Sequence, residues 1–265
     1  MPKHPYSSIQ HHQPGVIGCQ IHYFEEVEST QNIARNLAAE GAPHGTAVIA
    51  ETQSAGRGRM GRSWHSPSGV NLYTTIILRP RIAMAEVPRL SLVAGVAAAE
   101  ALEDVAPGIV QLKWPNDVWL KGRKAGGIIA EAVTDRRQQL DSVLLGIGLN
   151  LNLALDDVPE ELRARAISVL IATGHRCDRV SVANTLFTRL NIRYDETVTN
   201  GFSAVRPEWE RYSALTGKRV TIVDAGTREE GVVKGIDTDG ALLLETSSGL
   251  RRIIAGDVTL EGAYN

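Results

Sequence analysis

The chain has 265 residues, 43% hydrophobic and 22% charged, with a net charge of −2. This composition supports a sizeable apolar core and speaks against a dedicated nucleic-acid binder, whose domain is usually strongly basic. Two cysteines, Cys19 and Cys177, lie far apart without metal-site spacing, which argues against a disulfide framework and for a cytoplasmic protein. No signal-peptide core opens the chain, and no stretch approaches the roughly 18 apolar residues of a membrane helix.

Residues 1–15 carry His4, His11 and His12 among prolines and read as a disordered tail rather than a metal site, because no helical or turn framework gathers the three rings. Val16 to Val27 predicts a first strand, followed by Ser29 and Thr30 as a helix cap. Ile33, Ala34, Leu37 and Ala38 repeat at helical spacing before Gly41. Thr46–Ala50 is a short buried strand, and Glu51–Val70 a polar loop without period. Asn71–Leu78 is a β-branched and aromatic strand stopped by Pro80. Val87–Val105 predicts a long helix with a wide apolar face.

Four strands are expected next, at Val110–Lys113, Val118–Leu120, Gly126–Val133 and Gln139–Leu149, with Asp135–Gln138 as a turn. Helices are expected at Pro159–Leu170, Val180–Val198 and Glu208–Ala214. The pattern is α/β with a mixed or antiparallel sheet, lacking the regular strand–helix alternation of a doubly wound sheet. After Gly217 come short strands at 218–223, 229–236, 241–245 and 250–255, separated by turns such as Asp239-Gly240 and Ser248-Gly249. These predict a small barrel. The expected organisation is therefore a tail to residue 15, a large domain over 16–214 and a barrel over 215–265.

Three segments carry chemistry. In Gln53-Ser54-Ala55-Gly56-Arg57-Gly58-Arg59-Met60-Gly61-Arg62-Ser63-Trp64, glycines alternate with arginines. Glycine permits close backbone approach to a ligand, and arginine offers a planar fork of donors to carboxylates and phosphates. The same composition also suits a solvated loop or an RGG-like nucleic-acid segment, but its place between two apolar strands favours a site. Lys113-Trp114-Pro115-Asn116-Asp117 ends a strand in a turn that presents an amide and a carboxylate, or is a Pro-Asn-Asp turn kept for its backbone. Lys124 follows, then small residues Ala125-Gly126-Gly127. Gly146-Ile147-Gly148-Leu149-Asn150-Leu151-Asn152 places two glycines in a strand, explained by a close ligand or by a bulge.

In this order, Glu28-Ser29-Thr30-Gln31, the GRGRMGRSW run from Gly56, KWPND from Lys113, RKAGG from Arg123 and GIGLNLN from Gly146 closely resemble the biotin–protein ligase family. The resemblance is strong over about residues 20–150 and weaker through the end of the chain. It implies a class II synthetase-like catalytic domain and a small SH3-like barrel. The implied function is an ATP-dependent ligase that forms biotinyl-5′-AMP and passes biotin to a lysine of a biotin carboxyl carrier domain.

The resemblance also assigns roles. Ser29, Thr30, Gln53, Gly56, Arg57, Gly58, Arg59, Lys124, Gly127 and Gly146 would hold biotin. Arg57, Arg59, Arg62, Trp64, Lys113, Asn116, Lys124 and Asn150 would hold ATP. Arg59, Lys124 and Asp117 would be catalytic. Mg²⁺ would enter with the phosphates, with Asn150 a candidate ligand. Two points depart from the family. Met60 stands where an arginine is common, and only about twenty residues precede the expected catalytic domain, too few for the amino-terminal helix-turn-helix of some members, so DNA binding is not implied. A homodimer is left open, no membrane contact is expected, and lipoate–protein ligase is the nearest alternative activity.

Overall fold

The computed structural model describes residues 4–9, 13, 15–224 and 226–260. A seven-stranded sheet organises the first four-fifths of the chain. It contains β1 (Ile21–Val27), β2 (Ala47–Gln53), β3 (Leu72–Leu78), β4 (Val110–Lys113), β5 (Asp117–Leu120), β6 (Arg123–Thr134) and β7 (Leu140–Leu149) in the order β1-β2-β3-β7-β6-β5-β4. Only β1 and β2 run parallel. The mixed sheet agrees with the pattern expected from sequence.

Helices cover both faces. α2 (Arg89–Glu103) is buried on almost every side, as suits a helix apolar all round. It packs with α4 (Arg179–Asn200) and α5 (Arg206–Tyr212) against one face, where the main core gathers Ile49, Ile76, Leu102, Ile128, Leu145 and Phe187. α1 (Thr30–Ala39) covers part of the other face through Ala34 and Ala38, which meet Val48, Ile77 and Leu144. Ser29 caps α1, its hydroxyl accepting the Gln31 N–H at 3.3 Å.

Cross-strand register shows why α1 covers only part of that face. Ile77, Leu144 and Glu131 lie side by side on β3, β7 and β6; the next row is Thr75, Gly146 and Ile129; the next is Tyr73, Gly148 and Gly127. Ile77 and Leu144 of the first row seat the helix, Glu131 at its end pairs with Arg35, and the glycine rows beyond leave a hollow.

The second sheet is antiparallel, with strands β8 (Arg219–Asp224), β9 (Thr227–Ile236), β10 (Leu242–Thr246), β11 (Gly249–Ile253) and β12 (Asp257–Leu260) in the order β11-β10-β9-β8-β12. The five-stranded antiparallel sheet agrees with the small SH3-like unit expected from sequence; among the described residues no ladder joins β11 to β12. β12 was missed because its four residues are too short for a periodic signal. The Trp114 indole donates to Gly240 O at 3.0 Å, Arg89 pairs with Asp239, and a Glu210 carboxylate oxygen accepts Ile236 N–H. Gly240 has φ +81°, and a Cβ there would lie 2.6 Å from Leu92. The turn joining β9 and β10 is thereby fitted against the first unit.

Two further expectations fail. Residues 4–9 do not belong to a disordered tail: Pro5–Ser8 forms a 3-10 turn, Tyr6 and Ile9 are buried in the main core, and His4 stacks on Tyr23. His11 and His12 lie outside the described residues. The helix expected over 159–170 is replaced by 3-10 turns at Leu155–Asp157 and Glu160–Leu162, then α3 (Val169–Thr173). Between them the backbone runs beside the start of β6, where Lys124 N–H bonds Arg165 O and Ile167 N–H bonds Lys124 O. Pairing with the sheet overrides the local helical pattern.

Candidate functional site

The glycine-lined hollow is the floor of a cleft enclosing about 490 Å³, part of it open to solvent. The register of β6 and β7 is unbroken through this region, so a bulge does not explain the glycines. A Cβ on Gly148 would lie 2.7 Å from Trp64 Nε1, one on Gly127 3.1 Å from the same ring, and one on Gly146 3.0 Å from Gln31 Nε2. The glycines exist to admit an indole and an amide.

At one end the groups are neutral and polar. Gln53 Oε1 accepts the Thr30 N–H at 2.9 Å and its hydroxyl at 3.2 Å, while Gln53 Nε2 donates to Ser66 Oγ. Thr75 donates to the Thr30 hydroxyl oxygen at 2.8 Å. Gln31, which sequence reasoning did not select, lines the cleft with both Nε2 and Oε1 buried and unpartnered. Burying an amide without hydrogen bonds is costly, so a donor and an acceptor are held ready together. The signal was legible: Gln31, Ala34 and Ala38 form the buried stripe of α1, and a glutamine on such a stripe needs a reason.

At the other end the groups are cationic. Lys124 Nζ lies 2.6 Å from Asp117 Oδ1 and 5.4 Å from the centre of the Trp64 ring. The turn after β4 is folded onto β6, with Asn116 Nδ2 donating to Ile128 O and Ile128 N–H to Asn116 O. Its free carbonyl Oδ1 accepts Arg59 at 3.0 Å.

The arginine loop forms the roof as a tight hairpin. Arg57 bridges Ser63, Gly58 N–H bonds Arg62 O, and Trp64 N–H bonds Gly56 O. Met60 sits at the exposed tip with φ 57°. Among the described residues no carboxylate pairs with Arg57 or Arg59 and no Asp or Glu lines the cleft. An anion is the ligand such walls favour.

Of the residues singled out from sequence, the fold brings Ser29, Thr30, Gln53, Arg57, Gly58, Arg59, Trp64, Asn116, Lys124, Gly127 and Gly146 to this cleft, with Asp117 reaching it through Lys124. Gly56 lies behind the wall, where a Cβ would strike Trp64 O at 2.7 Å. Lys113 is half-buried, with Nζ 5.1 Å from the Trp119 ring centre. Burial holds its pKa below the usual lysine value, and Asp117 pulls the other way. Arg62 turns away to Asp257. Asn150 is also outside the cleft: its side-chain amide donates to Ile167 O and its backbone carbonyl accepts Val169 N–H. Among the described residues no three His, Cys, Asp or Glu side chains converge to hold a metal, and no helix is long and apolar enough to cross a membrane.

Comparison with known proteins agrees with this geometry. A model of the biotin/lipoate A/B protein ligase family matches residues 23–150, and one of the biotin protein ligase C terminal domain matches residues 215–260. A bifunctional ligase/repressor BirA of Bacillus spizizenii is 38% identical over 245 residues, covering 92% of this chain and 75% of that protein. A biotin–[acetyl-CoA-carboxylase] ligase of Paracoccus denitrificans is 37% identical, covering 81% and 90%. A biotin protein ligase from Aquifex aeolicus, solved in complex with biotin and ATP, superposes with a TM-score of 0.79 at 30% identity, covering 91% of this chain and 98% of that one.

Proposed function

Since this chain belongs to the biotin/lipoate A/B protein ligase family, and within it to the biotin–protein ligases, we propose that it joins biotin to ATP as biotinyl-5′-AMP and then transfers biotin to a lysine of a biotin carboxyl carrier domain. One observation carries this reading: a neutral hydrogen-bonding end and a cationic end share one cleft, and among the described residues no carboxylate pairs with its Arg57 or Arg59. Biotin has that same polarity, a cyclic urea at one end and a carboxylate at the other.

The urea offers N–H donors and a carbonyl acceptor, which complement the unpartnered Oε1 and Nε2 of Gln31. A dithiolane ring offers neither, and a site with buried polar groups discriminates strongly against a ligand that leaves them unpaired. This favours biotin over lipoate.

In the first step the biotin carboxylate attacks the α-phosphate and pyrophosphate leaves. Two anions must meet, so fixed cations lower the barrier. Lys124 bridges the carboxylate and the α-phosphate, and Arg57 and Arg59 neutralise the phosphates from the roof. Mg²⁺ brought with the nucleotide would add positive charge against the phosphates, beside Arg57, Arg59 and Lys124. In the second step the acceptor amine, ordinarily protonated near pKa ~10.4, gives a proton to Asp117, attacks the acyl carbon and expels AMP. Trp64 over the glycine floor shields the mixed anhydride from water.

Calorimetry with biotin and with lipoate, followed by mass spectrometry after addition of MgATP, tests the proposal. Biotin binding and an adenylate of biotin are expected. Binding of lipoate in its place, or biotin binding with no adenylate, overturns it.

A further inference from the structure

The loop and the second sheet meet at one point. Arg62 donates from one terminal nitrogen to both carboxylate oxygens of Asp257, at 2.9 and 3.1 Å. We infer that Asp257 is a positioning residue for the reaction: it clasps Arg62 and so holds the arginine loop shut over the cleft while the adenylate is bound. The inference rests on the adenylating function proposed above.

The mechanics follow from the hairpin. Arg62 O accepts Gly58 N–H, and Arg57 bridges Ser63, so fixing Arg62 also fixes Arg57 and Gly58, which line the cleft. The other hold on the tip is Arg59 on Asn116. The two contacts lie on the cleft side and the second-sheet side of the same turn, and together they set how far the roof stands from the floor.

The post is firm. Asp257 pairs with Val223 in the β12–β8 ladder, and Val258 beside it is buried. The sheet that carries it is fitted to the first unit through Trp114 and Gly240 and through Arg89 and Asp239. The clasp itself is exposed, with side-chain exposures of 59% for Arg62 and 46% for Asp257. Exposed ion pairs add little to stability, so the fold does not depend on this one.

The test uses the full chain loaded with biotin and MgATP, freed of excess ligand, with release of biotinyl-5′-AMP followed by mass spectrometry. Asp257→Asn is expected to form adenylate, to bind biotin with unchanged affinity by calorimetry, and to release adenylate about fivefold faster, the scale of one exposed ion pair. Wild-type release should quicken when salt rises to about 1 M, where such pairs are screened, and release from the variant should not. The exchanged pair, Arg62→Asp with Asp257→Arg, should restore slow release. Release from Asp257→Asn at the wild-type rate, wild-type release indifferent to salt, or an exchanged pair that binds biotin but still releases fast would each sink the clasp alone. A wild-type chain that forms no adenylate takes the proposed function down, and the clasp with it.

Discussion

The KWPND turn and the arginine loop face each other across one cleft, yet they are held in opposite ways. The turn is built into the sheet: Trp114 is buried, Asn116 bonds Ile128 through both backbone and side chain, and Asp117 begins β5. The loop touches its surroundings through long side chains, Arg59 on Asn116 and Arg62 on Asp257, and its tip is open to solvent. A reaction between two anions needs charges fixed in advance on one side and an entrance on the other. The turn serves the first need and the loop the second.

The largest effect should come from the fixed side. Lys124→Ala removes the cation that joins floor and turn, and is expected to lower kcat/KM for adenylate formation by about 10²- to 10³-fold, the scale of one preorganised electrostatic group. Pyrophosphate exchange measures it. A loss smaller than that of Arg57→Ala would reverse the assignment of fixed and entering sides.

Where floor meets roof, Gly148→Ala should be next. The new methyl would lie 2.7 Å from Trp64 Nε1, so the indole must shift. Overpacking of this kind costs about 1–3 kcal/mol, read by chemical denaturation, with weaker biotin binding. Unchanged stability and affinity would show that Trp64 belongs to the entering side.

The smallest effect concerns Lys113. Burial holds its pKa below the ordinary 10.5, so its charge is lost as pH rises through the lowered value, earlier than for an exposed lysine. The unfolded chain still binds that proton over the interval between the two values, so stability rises with pH there. If Lys113 supports the phosphates, KM for ATP should climb over the same interval, and Lys113→Arg should move the climb to higher pH. An identical pH profile in Lys113→Arg would remove Lys113 from nucleotide binding.

Much of this was legible in the sequence, for a physical reason. Segments whose partners are near in sequence or whose period is strong, such as α2, β3 and the β6–β7 hairpin, follow from local pattern. The loop and the turn announce themselves because Gly-Arg alternation and a Pro-Asn-Asp turn are poor core material. What could not be read depends on distant partners. Arg62 and Asp257 are 195 positions apart, Tyr6 owes its burial to the main core, and the segment before α3 gives up its helix for β6. Nor could the sequence show that Asn150 ties its side-chain amide to Ile167 O.

The hydrogen bond from Trp114 to Gly240 also limits how such chains can be recombined. A chimera that takes its second sheet from a relative inherits a turn which must leave room for Leu92 and turn a carbonyl toward the indole. A foreign turn that fails in either respect leaves the tryptophan nitrogen stranded beneath the strand end that carries Lys113, Asn116 and Asp117. Compatibility between the halves thus depends in part on the turn at residue 240.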